Sequence, residues 1–349
     1  MIIILLLAIL LVIHLITRRR HIKAAIAGGP GRYNLPLSLS KEDGVSQMFL
    51  TLATLFLAVT IFSFNRSMGS PVSWWTTFFF STAIGFASAY SFKTPCTLAL
   101  SLLALPVWWG VRMYEWGHGE DLKPSVIFSG VALFTLIYYA LGHVHGASLK
   151  AKRFASVYLV FGILPVTGIL FFLSTRPGIE ALEAMTNGSS VVPWQASVSL
   201  CVLLAALAAA TVYSLSAGSI LRTEILAIIL LTILFVAIAL LPEQESVSGR
   251  ALSPAGLKWA TLFNIAVFLE LLGLIFSGYL RREEWLINVG ALFLFLLIIV
   301  KYFDWFFTFL DKSIFFIGAG ILLFAVGWFM ESGRRYMISG IRGAGERTS

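Results

Sequence analysis

Of 349 residues, 58% are hydrophobic and only 12% are charged, about half the charged fraction of an ordinary water-soluble domain. With a mean hydropathy of +0.90, a soluble fold of this length is excluded. The net charge of +8 would suit nucleic acid, but its distribution along the chain points elsewhere.

Repeated apolar stretches approach the ~20 residues that cross a ~30 Å hydrocarbon core. They lack the alternation of barrel strands, so they read as helices. Eleven spans are predicted, at 2–17, 47–64, 73–91, 95–113, 125–143, 155–173, 195–215, 224–241, 258–279, 285–301 and 313–331. The fold class is an all-α polytopic transmembrane bundle, read as one integral membrane domain over 1–349. The first span has no basic residues before it and "TRRRHIK" after it. A cleaved signal peptide has the reverse order, so this span is expected to stay as an anchor with its N-terminus outside.

Residues 18–46 form a cytoplasmic loop containing the Gly/Pro/Ser-rich "AGGPGRYNLPLSLS", a flexible linker by composition. It ends in Ser40-x-x-Asp43, a capping box for the second span. Counting on through the tail 332–349, cytoplasmic segments hold 17 of the 25 Lys and Arg residues. The positive-inside rule then gives N-out, C-in. Eight of ten tryptophans, Trp74, Trp75, Trp108, Trp109, Trp116, Trp194, Trp259 and Trp305, fall near the outer ends, as an aromatic belt requires. The basic charge therefore orients the chain and attracts anionic lipid. Membrane lipids are the expected partners, with a small solute or a protein partner open and no nucleic acid.

Close helix packing in lipid uses small residues four apart. Ser81, Gly85 and Ala89 in span 3 qualify, as do Ala205 with Ala209 and Ala206 with Ala210 in span 7. Gly320 and Gly327 share a face of span 11, and all three helices are expected in the bundle interior. Pro106 and Pro165 interrupt spans 4 and 6 near mid-membrane. Each removes a backbone hydrogen bond; matched breaks point to a transporter site, and packing kinks are the plainer account.

Other constellations carry less. Glu115, His118, Glu120 and Asp121 cluster in one outer loop with donors suited to a divalent cation, yet acidic loops are commonplace, and no metal is assigned. His14 and His143 near the cytoplasmic side would permit an axial haem pair but read as interfacial polar residues, so no cofactor is expected. Cys96 and Cys201 lie at different depths without C-x-x-C spacing, against a disulfide. The outer loop 174–193 carries "NGS" at 187–189, a short glycosylation match. No hydrolase, zincin, paired-aspartate or Walker A motif occurs, and no catalytic residue is assigned.

Glu270 stands out in "NIAVFLELLGLIF". Ala266, Gly273 and Ser277 share its helix face, a small and polar stripe expected to meet other helices. Asn264 is about 120° away around the axis. No cation falls at the same depth, so the neutral acid is favoured, with Tyr138, Tyr139 or carbonyls freed by Pro106 and Pro165 as hydrogen-bond partners. An intramembrane acid is a functional-site hypothesis; a protonated glutamate gluing helices is its structural counterpart. The site expected from sequence is therefore Glu270, Asn264, Gly273, Ser277, Pro106 and Pro165.

Residues 285–335 form the most distinctive stretch: Asn288, then Lys301-Tyr302-Phe303-Asp304, Lys312-Ser313, Gly318, Gly320, Glu331, Arg334 and Arg335. This hairpin resembles a group of uncharacterised bacterial multi-pass membrane proteins known as domains of unknown function. The resemblance implies a bacterial inner-membrane location and lends no activity. Physically, Lys301 with Asp304 and Glu331 with Arg334 are spaced to pair, and Asp311 and Ser313 suit a helix N-terminus. Transport of a small solute or lipid is the first functional expectation. A non-catalytic scaffold, sensor or assembly component is the second, and a lipid-modifying enzyme the third. A water-filled cavity at Glu270 favours the first and a dry interior the second.

Overall fold

The computed structural model describes residues 41–116, 123–147, 151–186, 192–241, 253–306 and 312–346. Among these, every regular element is helical: α1 (Lys41–Ser67), α2 (Trp74–Phe92), α3 (Pro95–Trp116), α4 (Pro124–Ala147), α5 (Lys152–Leu173), α6 (Arg176–Thr186), α7 (Trp194–Ser216), α8 (Arg222–Ala239), α9 (Pro254–Arg281), α10 (Glu284–Phe306) and α11 (Lys312–Glu346). Nine of the described helices, all but α2 and α6, are long and apolar enough to cross a membrane. The chain is an all-α polytopic bundle. α2, over span 3, has 19 residues, ~28 Å at 1.5 Å per residue. It carries no charge, but its many Ser and Thr hydroxyls lower its apolarity below that of the nine.

Span 1, the linker with Ser40, His14, His118, Glu120, Asp121, the sequon at 187–189 and Asp311 lie outside the described residues. Two boundaries change. The loop expected at 174–193 contains α6, which begins where the Thr175 hydroxyl accepts the Gly178 N–H and buries Ile179 and Leu182 on one face. The last span does not end at 331, and the tail 332–349 is helical as far as Glu346. Glu331 reaches Arg334 and Arg335, three and four residues on, and carries the helix past the expected end.

The structure divides into two compact units. The first holds α1–α4, α5 through Ile163, α7 and α8. Its centre is α4, where Val126, Ala132, Leu133 and Ala140 are fully buried. Gly85 and Ala89 of α2 are buried as their spacing required, Gly85 facing Ser101. At Gly162 of α5 the backbone of Tyr139 comes so near that a Cβ would lie 2.6 Å from its nitrogen. α8 is tied antiparallel to α4 along its length. Lys123 Nζ donates to Leu241 O (3.2 Å), Ser129 Oγ to Phe235 O (2.6 Å), and His143 Nε2 lies 3.9 Å from Glu224 Oε2. That carboxylate also accepts the Leu221 N–H at 2.9 Å, capping α8.

The alanine pairs of α7 behave differently from expectation. Leu203, Leu207, Ala210 and Ser214 form its buried face, whereas Ala205, Ala206 and Ala209 are exposed. The larger leucines and the Ser214 hydroxyl, which donates to Ala140 O at 3.2 Å, hold α7 against α4 and set its rotation.

Pro106 frees the Leu102 carbonyl, and Tyr138 Oη donates to it at 2.8 Å. The kink in α3 is thus satisfied from α4. Tyr138→Phe should leave that buried carbonyl unpaired and lower stability by about 1–3 kcal/mol, measured by denaturant unfolding in detergent.

The second unit holds α5 from Leu164, α6 and α9–α11. Ser253 caps α9 by accepting the Gly256 N–H (2.8 Å) and donates to Glu183 of α6. Beside it, Ile179, Leu182, Trp259 and Thr186 line a crevice too narrow to admit a water molecule.

Candidate functional site

Near the middle of α9, Glu270 meets α5. Thr167 Oγ donates to Glu270 Oε1 at 2.6 Å, and Thr167 is completely buried. Glu270 Oε2 is also buried and has no hydrogen-bond partner among the described residues. One oxygen of this carboxylate is thus engaged and the other is bare.

Thr167 is unlike most hydroxyls in these helices. Thr51, Thr54, Thr60, Ser81 and Thr82 donate to the carbonyl four residues back on their own helix, the usual local bond. Thr167 donates across to another helix instead. It stands two residues after Pro165, in "LPVTG". The partners expected from sequence, Tyr138, Tyr139 or a freed carbonyl, are not what Glu270 uses. Tyr138 is spent on Leu102 O in the first unit, and the actual partner was overlooked. A hydroxyl just beyond a mid-span proline was the available signal.

The other expected site residues are dispersed. Asn264 Nδ2 donates to Ala260 O (2.7 Å) and Ser174 O (3.3 Å), not to Glu270. Gly273 is exposed, with open space where a Cβ would stand, and Ser277 is half-buried. Gly273 does not pack on a described helix, because Phe263, Val267, Leu271 and Gly278 form the buried face of α9. Pro106 belongs to the first unit.

The hairpin residues converge structurally. Lys301 Nζ donates to Ser174 O, the acceptor also used by Asn264, and lies 3.6 Å from Asp304 Oδ2. A cation at the C-terminal end of α5 complements its dipole. The Tyr302 hydroxyl lies 2.5 Å from where a Cβ on Gly318 would stand, so glycine lets α10 and α11 meet there. Phe303 is exposed and edge-on to Tyr302. Arg334 grips Glu331 through two nitrogens (2.7 and 2.9 Å) and donates to Asn288 Oδ1 at 2.9 Å, joining α11 to α10. Lys312 opens α11. Arg334→Ala should loosen that end only locally, visible as faster amide exchange at 331–336 with little change in global unfolding.

Two polar clusters in the first unit were not foreseen. Tyr90 Oη bonds both His145 Nε2 and Tyr158 Oη at 2.8 Å, with His145 stacked on Tyr158. His145 Nδ1 lies 2.8 Å from Leu141 O, so that nitrogen carries the proton. Arg112 sits over Trp75 (3.6 Å) and Trp116 (4.5 Å) and pairs with Glu115, giving the two tryptophans a cationic partner. Cys96 and Cys201 are free.

Compared with protein-family models, curated proteins and solved structures, the chain finds no match. The functional reading rests on its own residues.

Proposed function

We propose that this protein moves a small solute or a lipid across the membrane, with Glu270 and Thr167 as its working pair. The observation carrying this reading is the bare, buried Glu270 Oε2 beside a threonine on the proline-interrupted α5. A glue residue would be expected to spend both oxygens on neighbours. An oxygen held without a partner is available to a passing ion or ligand. The loop arginines support an orientation with the N-terminus outside and the C-terminus in the cytoplasm.

The test is reconstitution into proteoliposomes with a panel of labelled solutes and fluorescent lipids. Wild type should move at least one, and Glu270→Gln should slow it by roughly tenfold or more, about 1.4 kcal/mol of barrier. Equal rates in both would end the assignment of Glu270. Failure of wild type to move anything would favour the second reading, a packed scaffold, which the Tyr138 bond closing the Pro106 kink supports.

A further inference from the structure

Resting on Glu270 as the working acid, we infer that the ion handled there is a proton and not a metal cation. The described site offers three side-chain oxygens: Thr167 Oγ, already donating to Oε1, and the two of Glu270. Hard cations take about six oxygens. Membrane transporters commonly complete such a shell with carbonyls from unwound helices. Here α5 and α9 run as helix through the site, so their carbonyls are committed along the axis. The carbonyl that Pro165 releases, that of Phe161, lies six residues before Thr167, about 9 Å along the axis. No group of three His, Cys, Asp or Glu among the described residues is placed to hold a metal.

A proton needs only one lone pair, and Oε2 has it. Protonation there turns a bare buried charge into a neutral hydroxyl, a far cheaper group to leave without a partner. The described charged groups on the helices packed against α9 are engaged elsewhere. On α10, Lys301 is paired with Asp304 and bonded to Ser174 O, and Glu284 has its own interaction. On α6, Arg176 pairs with Glu180, and Glu183 is bonded to Ser253. On α11, Glu331 holds Arg334 and Arg335. On α9 itself, Lys258 and Arg281 stand near the two ends, each more than two turns from Glu270.

Full-length protein in lipid nanodiscs, treated with dicyclohexylcarbodiimide near neutral pH, tests this. The reagent takes up the acid's proton and adds to the carboxyl oxygen. The adduct then rearranges to an N-acylurea that retains every atom, so the peptide gains the reagent's mass. Glu270 should be labelled, Glu270→Gln should not, and excess sodium, lithium or calcium should leave the rate unchanged. Infrared spectroscopy should show a protonated-acid carbonyl band that disappears in Glu270→Gln. A severalfold slowing of labelling by any of the three cations, or absence of that band, would overturn the inference. Labelling needs no substrate, so the two ideas fail separately. A labelled Glu270 with transport indifferent to Glu270→Gln removes the transport role and keeps the proton site. Sensitive transport without the infrared band does the reverse.

Discussion

Gly162→Val is expected to prevent the first unit from assembling. Any Cβ at 162 would lie 2.6 Å from Tyr139 N and 2.7 Å from its Cα. These are backbone atoms and cannot rotate away. Nor can α4 retreat, because Tyr138 on one side is bonded to Leu102 O and Ala140 on the other accepts from Ser214. Overpacking of this kind costs about 1–3 kcal/mol for an added methyl, and valine adds branching. Gly162→Ala should therefore give a graded loss and Gly162→Val a failure to purify as a monodisperse species. Size-exclusion profiles and denaturant unfolding in detergent measure both. Wild-type behaviour of Gly162→Val would mean that α4 and α5 do not meet at this glycine.

Variants at Glu270 should separate charge from shape. Glu270→Gln keeps an acceptor for Thr167 and should unfold within about 1 kcal/mol of wild type, since an amide avoids the cost of a buried charge. Glu270→Leu frees the Thr167 hydroxyl, which can turn to a carbonyl of its own helix as its counterparts do, so its loss should be equally small. Glu270→Arg places a fixed charge where no described anion answers it and should cost about 3 kcal/mol or more. Unfolding free energies of the purified variants check the order. If Gln were as damaging as Arg, the carboxylate would be ionised and held by something besides Thr167.

The crossing helices were readable because lipid imposes one requirement, sustained apolarity over a fixed length, and a chain displays that openly. α6 was missed since its apolar face is short and its start is a Thr175 cap before Pro177, a signal smaller than a span. The place of Glu270 near the middle of its helix was likewise apparent, but its partner was not. Which helices are neighbours depends on rotation about each axis, and side-chain size fixes that. The leucines of α7 overrode its alanines, and α9 turned Phe263 and Leu271 inward in preference to Gly273. Hairpin residues were easier, since Lys301 with Asp304 and Glu331 with Arg334 are local pairs that spacing alone reveals.

The order in which the chain visits the two units bears on its biosynthesis. The ribosome releases most of the first unit, then the stretch from Leu164, then returns to the first with α7 and α8 before finishing the second. When Thr167 emerges, the helix bearing its acceptor has yet to be made. The second half of α5 is thus synthesised before the rest of the unit to which it belongs. Until α9 arrives, the Thr167 hydroxyl can turn to a carbonyl of its own helix, so the polar group that needs a waiting partner is the acid of the later helix.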